Sequence, residues 1–244
     1  MKKPKNKNCL VICTFFGERR SHPHNTKEAI TINKSNIDYL KKLDSGTSSD
    51  IIICNHTCPK NQDPERQGLK FLSKINGTKT KNGKIITISR PWGKGYGLGF
   101  KSFDYAFSKF KNDYDYWFFC EDDFAQIIKD QYFSTSINQL KKLKNKNVAF
   151  LCAYKGYLGG ANVPRSKKIS DDSDFNSKSQ PPIHCHGGIG CTHRDYLNVI
   201  VKKYGSLPYS KDAQYEEISG EVNFTNIFIQ NSYNIALMED CYHL

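Results

Sequence analysis

Apolar residues gather into short runs, separated by polar stretches rich in lysine, asparagine and glycine. The first run, residues 9–16 (CLVICTFF), predicts a strand buried on both faces. Further strands are expected at 50–55 (DIIICN), 84–89 (KIITIS), 117–120 (WFFC), 147–154 (NVAFLCAY) and 233–238. Between them, Ser35 is read as a helix start, with Asp38 completing a cap-like pair and Ile37, Leu40 and Leu43 along one side. Helices are also expected at 64–75, at 136–143, and along Phe100, Phe103, Ala106, Phe107 and Phe110. Thr192 is read as the cap of a helix over 194–204, with Asp195 in its first turn, and a later helix runs from Glu216 through Gln230. Strand and helix alternate, which predicts an α/β fold: a mostly parallel central sheet flanked by helices, in one domain.

The fourth strand carries the first chemical signal. Glu121, Asp122 and Asp123 follow its apolar run without a break. Carboxylates crowded at a strand's carboxyl end repel one another unless a cation sits among them, and a hard divalent ion that also touches phosphate would serve. In open α/β sheets, ligands bind at that end of the strands. A solvated acidic turn is the plainer alternative. Two glycine-bearing stretches could also meet phosphates. Gly17-Glu18-Arg19-Arg20 follows the first strand, and residues 93–99 (GKGYGLG) follow the third. Neither matches a P-loop or a dinucleotide fingerprint. The polar segment 159–182 is long for a connection and is expected to be functional or mobile.

Composition narrows the class. The chain has 244 residues, 38% of them hydrophobic, which is enough to bury a core. No apolar run approaches the ~20 residues needed to span a bilayer, and the lysine-rich amino terminus lacks a signal peptide's apolar segment. A soluble, cytoplasmic protein is expected, with peripheral membrane contact through its positive surface as an option. Nine cysteines, an odd number without regular spacing, argue against a disulfide framework. His184, Cys185, His186, Cys191 and His193 do not fit the paired spacing of a structural zinc site. The net charge of +12 predicts attraction to polyanions. No nucleic-acid-binding motif accompanies it, so nucleic acid is not the expected partner.

Four features stand in a telling order: Glu121-Asp122-Asp123, the loop 187–190 (GGIG), Glu221 opening a late helix, and His243 after the last strand. Together they resemble the glycosyltransferases of the GT-A fold, in particular the inverting, family-2-like branch, over nearly the whole chain. The resemblance implies a nucleotide-binding half (1–123) and an acceptor or catalytic half (124–244). Asp123 and His243 would hold Mn²⁺ or Mg²⁺ and, through it, the donor's diphosphate. Thr14 and Phe15 would touch the nucleobase, with Arg19 near the phosphates and Glu121 or Asp122 at the ribose. Gly187 and Gly188 would lie against the donor sugar. Glu221 occupies the position of the catalytic base, with Glu216 or Glu217 as alternatives, since this chain has Gly220-Glu221 where the family has paired acids. The donor would be a nucleotide-diphosphate sugar, with UDP as the expected nucleotide. The acceptor would be a hydroxyl of a glycan, a protein or a lipid-linked carbohydrate. A nucleotidyltransferase could use the same sheet and acids, though it would be expected to carry a glycine-rich phosphate loop directly after strand one. A basic nucleic-acid-binding protein is the non-enzymatic alternative.

Overall fold

The structure, a computed structural model, describes residues 7–16, 26–58, 61–91, 98–122, 128–153, 155–157, 183–185, 188–209 and 223–238. In chain order the elements are β1 (Asn8–Phe15), α1 (Thr26–Lys42), β2 (Ser49–His56), α2 (Gln67–Ile75), β3 (Ile85–Arg90), α3 (Leu98–Phe110) and β4 (Tyr116–Glu121). There follow α4 (Tyr132–Lys142), β5 (Val148–Cys152), β6 (Lys155–Tyr157), β7 (Ile183–Cys185), β8 (Gly190–His193), α5 (Arg194–Tyr204), α6 (Asn223–Gln230) and β9 (Asn234–Leu237).

Seven strands form one sheet in the order β3-β2-β1-β4-β8-β5-β9. The fold is therefore α/β with a mostly parallel central sheet flanked by helices. Only β8 runs against its neighbours, pairing antiparallel with both β4 and β5. β6 and β7 form a separate antiparallel pair. Strand order reverses direction between β1 and β4, which are parallel neighbours with Cys13 opposite Glu121.

The sheet is buried on both faces, as continuous apolar runs require. On one face, Phe118 and Cys120 of β4 pack with Ile37 and Leu40 of α1 and Phe133 and Leu140 of α4. On the other, Trp117 and Phe119 meet Phe103 and Phe107 of α3 and Phe224 and Phe228 of α6. The ring pairs Phe107–Trp117 and Phe103–Phe119 lie with centroids 4.9 Å apart, within the range of favourable aromatic contact.

Three local expectations are corrected. The first helix begins at Thr26 rather than Ser35, so Ser35 lies in its interior and does not cap it. Its buried stripe includes Asn33 and Asn36 beside Ala29, Ile37 and Leu40, and a pattern read from apolar residues alone misses a face whose inner turns are polar. The cap of α5 is His193, whose Nδ1 accepts from the Asp195 N–H at 3.2 Å. Thr192 belongs instead to β8, its hydroxyl donating to the Ala149 carbonyl oxygen at 2.6 Å. The strand β8 itself was not expected, because GCTH has no apolar run and follows two glycines closely.

Gly190 opens β8 where only glycine fits. A Cβ there would lie 2.2 Å from the Leu151 carbonyl oxygen and 2.6 Å from the Phe150 ring. Since both are core or backbone atoms, the strand would have to shift out of register. Gly190→Ala is expected to destabilise the fold by about 3 kcal/mol or more, read as a lower denaturant midpoint in equilibrium unfolding.

Candidate functional site

The carboxyl ends of β1 and β4 lie side by side at the point where strand order turns back, the place where open α/β sheets leave a crevice. Alternation along β4 sends Glu121 and Asp122 to opposite faces. Asp122, 4% exposed, lies on the α1 side. Its Oδ2 accepts from the Thr14 hydroxyl at 2.9 Å. That hydroxyl in turn accepts from Asn33 Nδ2 at 2.9 Å. Asn36 Nδ2 donates to the Asp122 carbonyl oxygen in a short, buried bond. Helix α1 thus holds the backbone of the strand end through Asn36, and its carboxylate through Asn33 and Thr14. Buried polar networks of this kind are stiff because each unmade bond costs the desolvation of its partner.

Glu121 points the other way. Its Oε1 would lie 3.1 Å from a Cβ on Gly99, with Cys13 Sγ at 3.2 Å from the same position. The carboxylate therefore sits against the first turn of α3, where exposed N–H groups favour negative charge. Gly99 gives it room.

On the same face, the ends of β2 and β3 bring His56 and Arg90 opposite each other in register, with Phe15 opposite His56 on the other side. The Phe15 and His56 rings are 5.4 Å apart. Arg90 is buried, and its Nε donates to Ser102 Oγ on α3 at 2.9 Å. Burial, with further contributions from the Arg90 and Lys101 charges, pushes His56 down to about 3, so its imidazole is neutral near neutral pH. Sequence reasoning missed His56, Arg90, Asn33 and Asn36. The first two could have been found as polar residues closing apolar strand runs, and the asparagines by their place in the helical repeat, Asn33 four residues after Ala29 and Asn36 four before Leu40.

Gly188 has φ +63°, and a Cβ there would lie 2.6 Å from the Phe100 ring. The absence of a side chain at Gly188 is accounted for by that close approach to α3. Arg19, Asp123, Gly187, Glu216, Glu217, Glu221 and His243 lie outside the described residues, as do the stretches 92–97 and 159–182. Among the described residues, no three His, Cys, Asp or Glu side chains are gathered to hold a metal ion. Thr14 already occupies one oxygen of Asp122. Also among the described residues, no helix is long and apolar enough to cross a membrane.

No protein-family model and no curated protein matches the chain. Solved structures do resemble it at a distance. One is 4-diphosphocytidyl-2C-methyl-D-erythritol synthase from Anaerococcus prevotii, at TM-score 0.47 and 12% identity over 96% of this chain and 86% of that one. A cytidylyltransferase from Leptospira borgpetersenii gives TM-score 0.45 and 10% identity over 96% and 75%. A UTP-bound UGPase from Acinetobacter baumannii gives 0.39 and 11% over 96% and 86%. Similarity at this level assigns neither a family nor a reaction to this chain.

Two predictions follow from the geometry. Thr14→Val, which keeps the shape and removes the hydroxyl, is expected to cost about 2–3 kcal/mol by leaving Asp122 and Asn33 without their shared partner. Thr14→Ser should recover most of that loss, and denaturant unfolding of both variants checks it. The second concerns pH. Below 6.5 the unfolded chain protonates His56, whereas the folded chain refuses the proton until about 3. Stability should therefore fall as pH drops through this window, at up to about 1.4 kcal/mol per pH unit from this group. In His56→Gln that part of the slope should vanish, as measured by unfolding titrations across the window.

Proposed function

We propose that this chain is a nucleotide-dependent transferase that binds its nucleotide at the carboxyl ends of β1 and β4, and that its reaction is inverting transfer of a sugar from a nucleotide diphosphate to a hydroxyl. The observation that supports this best is the convergence of Thr14, Glu121 and Asp122 at the strand-order reversal, with Asp123 next in the chain. A strand end tied down by α1 would present the following carboxylate from a fixed backbone, which suits a group that must meet a diphosphate in one geometry.

In this reading, Phe15 and Thr14 lie at the nucleobase, and Glu121 or Asp122 lies towards the ribose. Asp123 and His243 would hold a divalent cation, which when bound supplies positive charge for the departing diphosphate. Glu221, or Glu216 or Glu217 in its place, takes the proton from the acceptor hydroxyl. The acceptor oxygen bonds to the anomeric carbon from the face opposite the leaving group. The carbon–oxygen bond to the diphosphate breaks, and the configuration inverts. The Gly187-Gly188 backbone leaves room for the donor sugar, with a carbohydrate, protein or lipid-linked hydroxyl beyond it.

Nucleotidyl transfer is the second reading. It is favoured by the glycine-rich, lysine-bearing stretch 93–99 after β3, which suits a triphosphate's extra charge. The two reactions differ in the bond that breaks and are separated by their products. With Mn²⁺, a panel of nucleotide sugars should yield free nucleoside diphosphate. Release of pyrophosphate from a nucleoside triphosphate and a sugar phosphate, without that activity, would instead establish nucleotidyl transfer. Asp123→Ala is expected to abolish the thermal shift caused by UDP with Mn²⁺. Glu221→Gln should keep the shift and lose turnover, and full turnover in that variant would move the base to Glu216 or Glu217.

A further inference from the structure

A cavity of about 440 Å³ opens at the opposite end of the sheet, among Lys7, Asn8, Asp50, Lys79, Lys84 and Tyr114. It lies at the amino ends of β1 and β2. Its outer wall is the turn joined by the Lys79–Lys84 bridge and closed by the Thr80 N–H donating to the Gly83 carbonyl oxygen at 2.9 Å. That turn packs hard against β2, since a Cβ on Gly83 would lie 2.1 Å from the Ser49 carbonyl oxygen. The wall is therefore fixed in place by contact with the β2 backbone, and the Gly83 N–H donates to Thr80 Oγ1 within it at 3.0 Å.

The charges around this cavity are arranged unusually. Nearby surface lysines have carboxylates: Lys81 pairs with Asp44 at 2.9 Å, and Lys41 with Asp38 at 3.8 Å. Lys7, Lys79 and Lys84 are exposed at the cavity, and among the described residues none of them forms an ion pair. The cavity's carboxylate is already engaged. Asp50 Oδ1 accepts from the Lys84 N–H at 3.0 Å, and Oδ2 accepts from the Tyr114 hydroxyl at 2.9 Å. Burial and that carboxylate push the Tyr114 hydroxyl up, so it remains a donor. Asn8, 1% exposed, gives its amide hydrogens to Thr47 Oγ1 at 3.2 Å and the Ser48 carbonyl oxygen at 2.9 Å. Its Oδ1 is buried with no hydrogen-bond partner among the described residues.

We propose that this cavity is a second binding site, for a phosphate-bearing anion, with Lys7, Lys79 and Lys84 as its cationic ligands. Lysines act as compact point charges and bind phosphate in that way, without the planar fork by which arginine grips phosphate and carboxylate alike. The volume falls in the range of about 300–1,000 Å³ typical of small-ligand sites. It is larger than inorganic phosphate needs, which points to a diphosphate or a phosphate ester. The site is separate from the one at the carboxyl ends: Asn8 and Thr14 are six residues apart on one extended strand, roughly 20 Å. The phosphate could belong to a soluble ester or to a lipid headgroup, and the chemistry at the lysines is the same for both.

The test compares the native chain with the double variant Lys79→Gln/Lys84→Gln, whose exposed side chains support nothing in the core. Each is titrated with inorganic pyrophosphate by NMR, and each is sedimented with phosphatidylcholine vesicles with and without a phosphoinositide bisphosphate. The expected result is saturable perturbation of the Gly77, Gly83 and Lys84 amides, or phosphoinositide-dependent sedimentation, weakened roughly tenfold in the variant. The first outcome identifies a soluble ligand and the second a headgroup. The proposal is overturned if neither probe binds the native chain, if the variant binds equally well, or if the perturbed amides are confined to residues 13–16 and 120–122.

Discussion

The hydrogen bond from Thr14 to Asp122 joins two strands that are neighbours in space and 108 positions apart in sequence. It lies where the order of the sheet reverses, and it is buried. Its partners on α1, Asn33 and Asn36, make the helix part of the same polar unit. A carboxylate in such a place depends on hydrogen bonds such as the one Thr14 donates. The result is a strand end whose backbone is held from one side by a helix and from the other by a parallel strand.

Much of this frame was legible in the chain. Runs such as CLVIC, DIIIC and WFFC have one physical solution in a protein of this size, a strand covered on both faces, and their order with intervening helices implies a mostly parallel sheet. What escaped was written in polar residues. Asn33 and Asn36 lie on the inner stripe of α1 because a buried hydroxyl and carbonyl oxygen need donors there, and apolar periodicity carries no trace of that need. β8 escaped for a related reason: Gly190-Cys191-Thr192-His193 has little strand character of its own, and its conformation comes from the edges of β4 and β5 between which it lies.

The site was legible in part. Glu121 and Asp122 stood out because they close an apolar run, Thr14 entered only through the family resemblance, and the structure brings all three to the strand-order reversal. Their separation to opposite faces was readable from alternation alone. The link between Thr14 and Asp122 was not, because a contact over that sequence distance depends on which strands are neighbours. His56 and Arg90 were passed over as ordinary strand-end residues, although their burial beside Phe15 makes them part of the same edge.

The antiparallel strand within the seven-stranded sheet has a consequence for how the protein is made. As the nascent chain leaves the ribosome, β1 to β4 can assemble early, yet the strand that covers the flank of Trp117–Phe119 is not delivered until residues 190–193 emerge. For that interval an aromatic-rich flank lacks the strand that pairs with it in the finished sheet. Such a flank invites intermolecular pairing. Biosynthesis, more than the finished fold, is where this architecture is exposed to chaperone dependence.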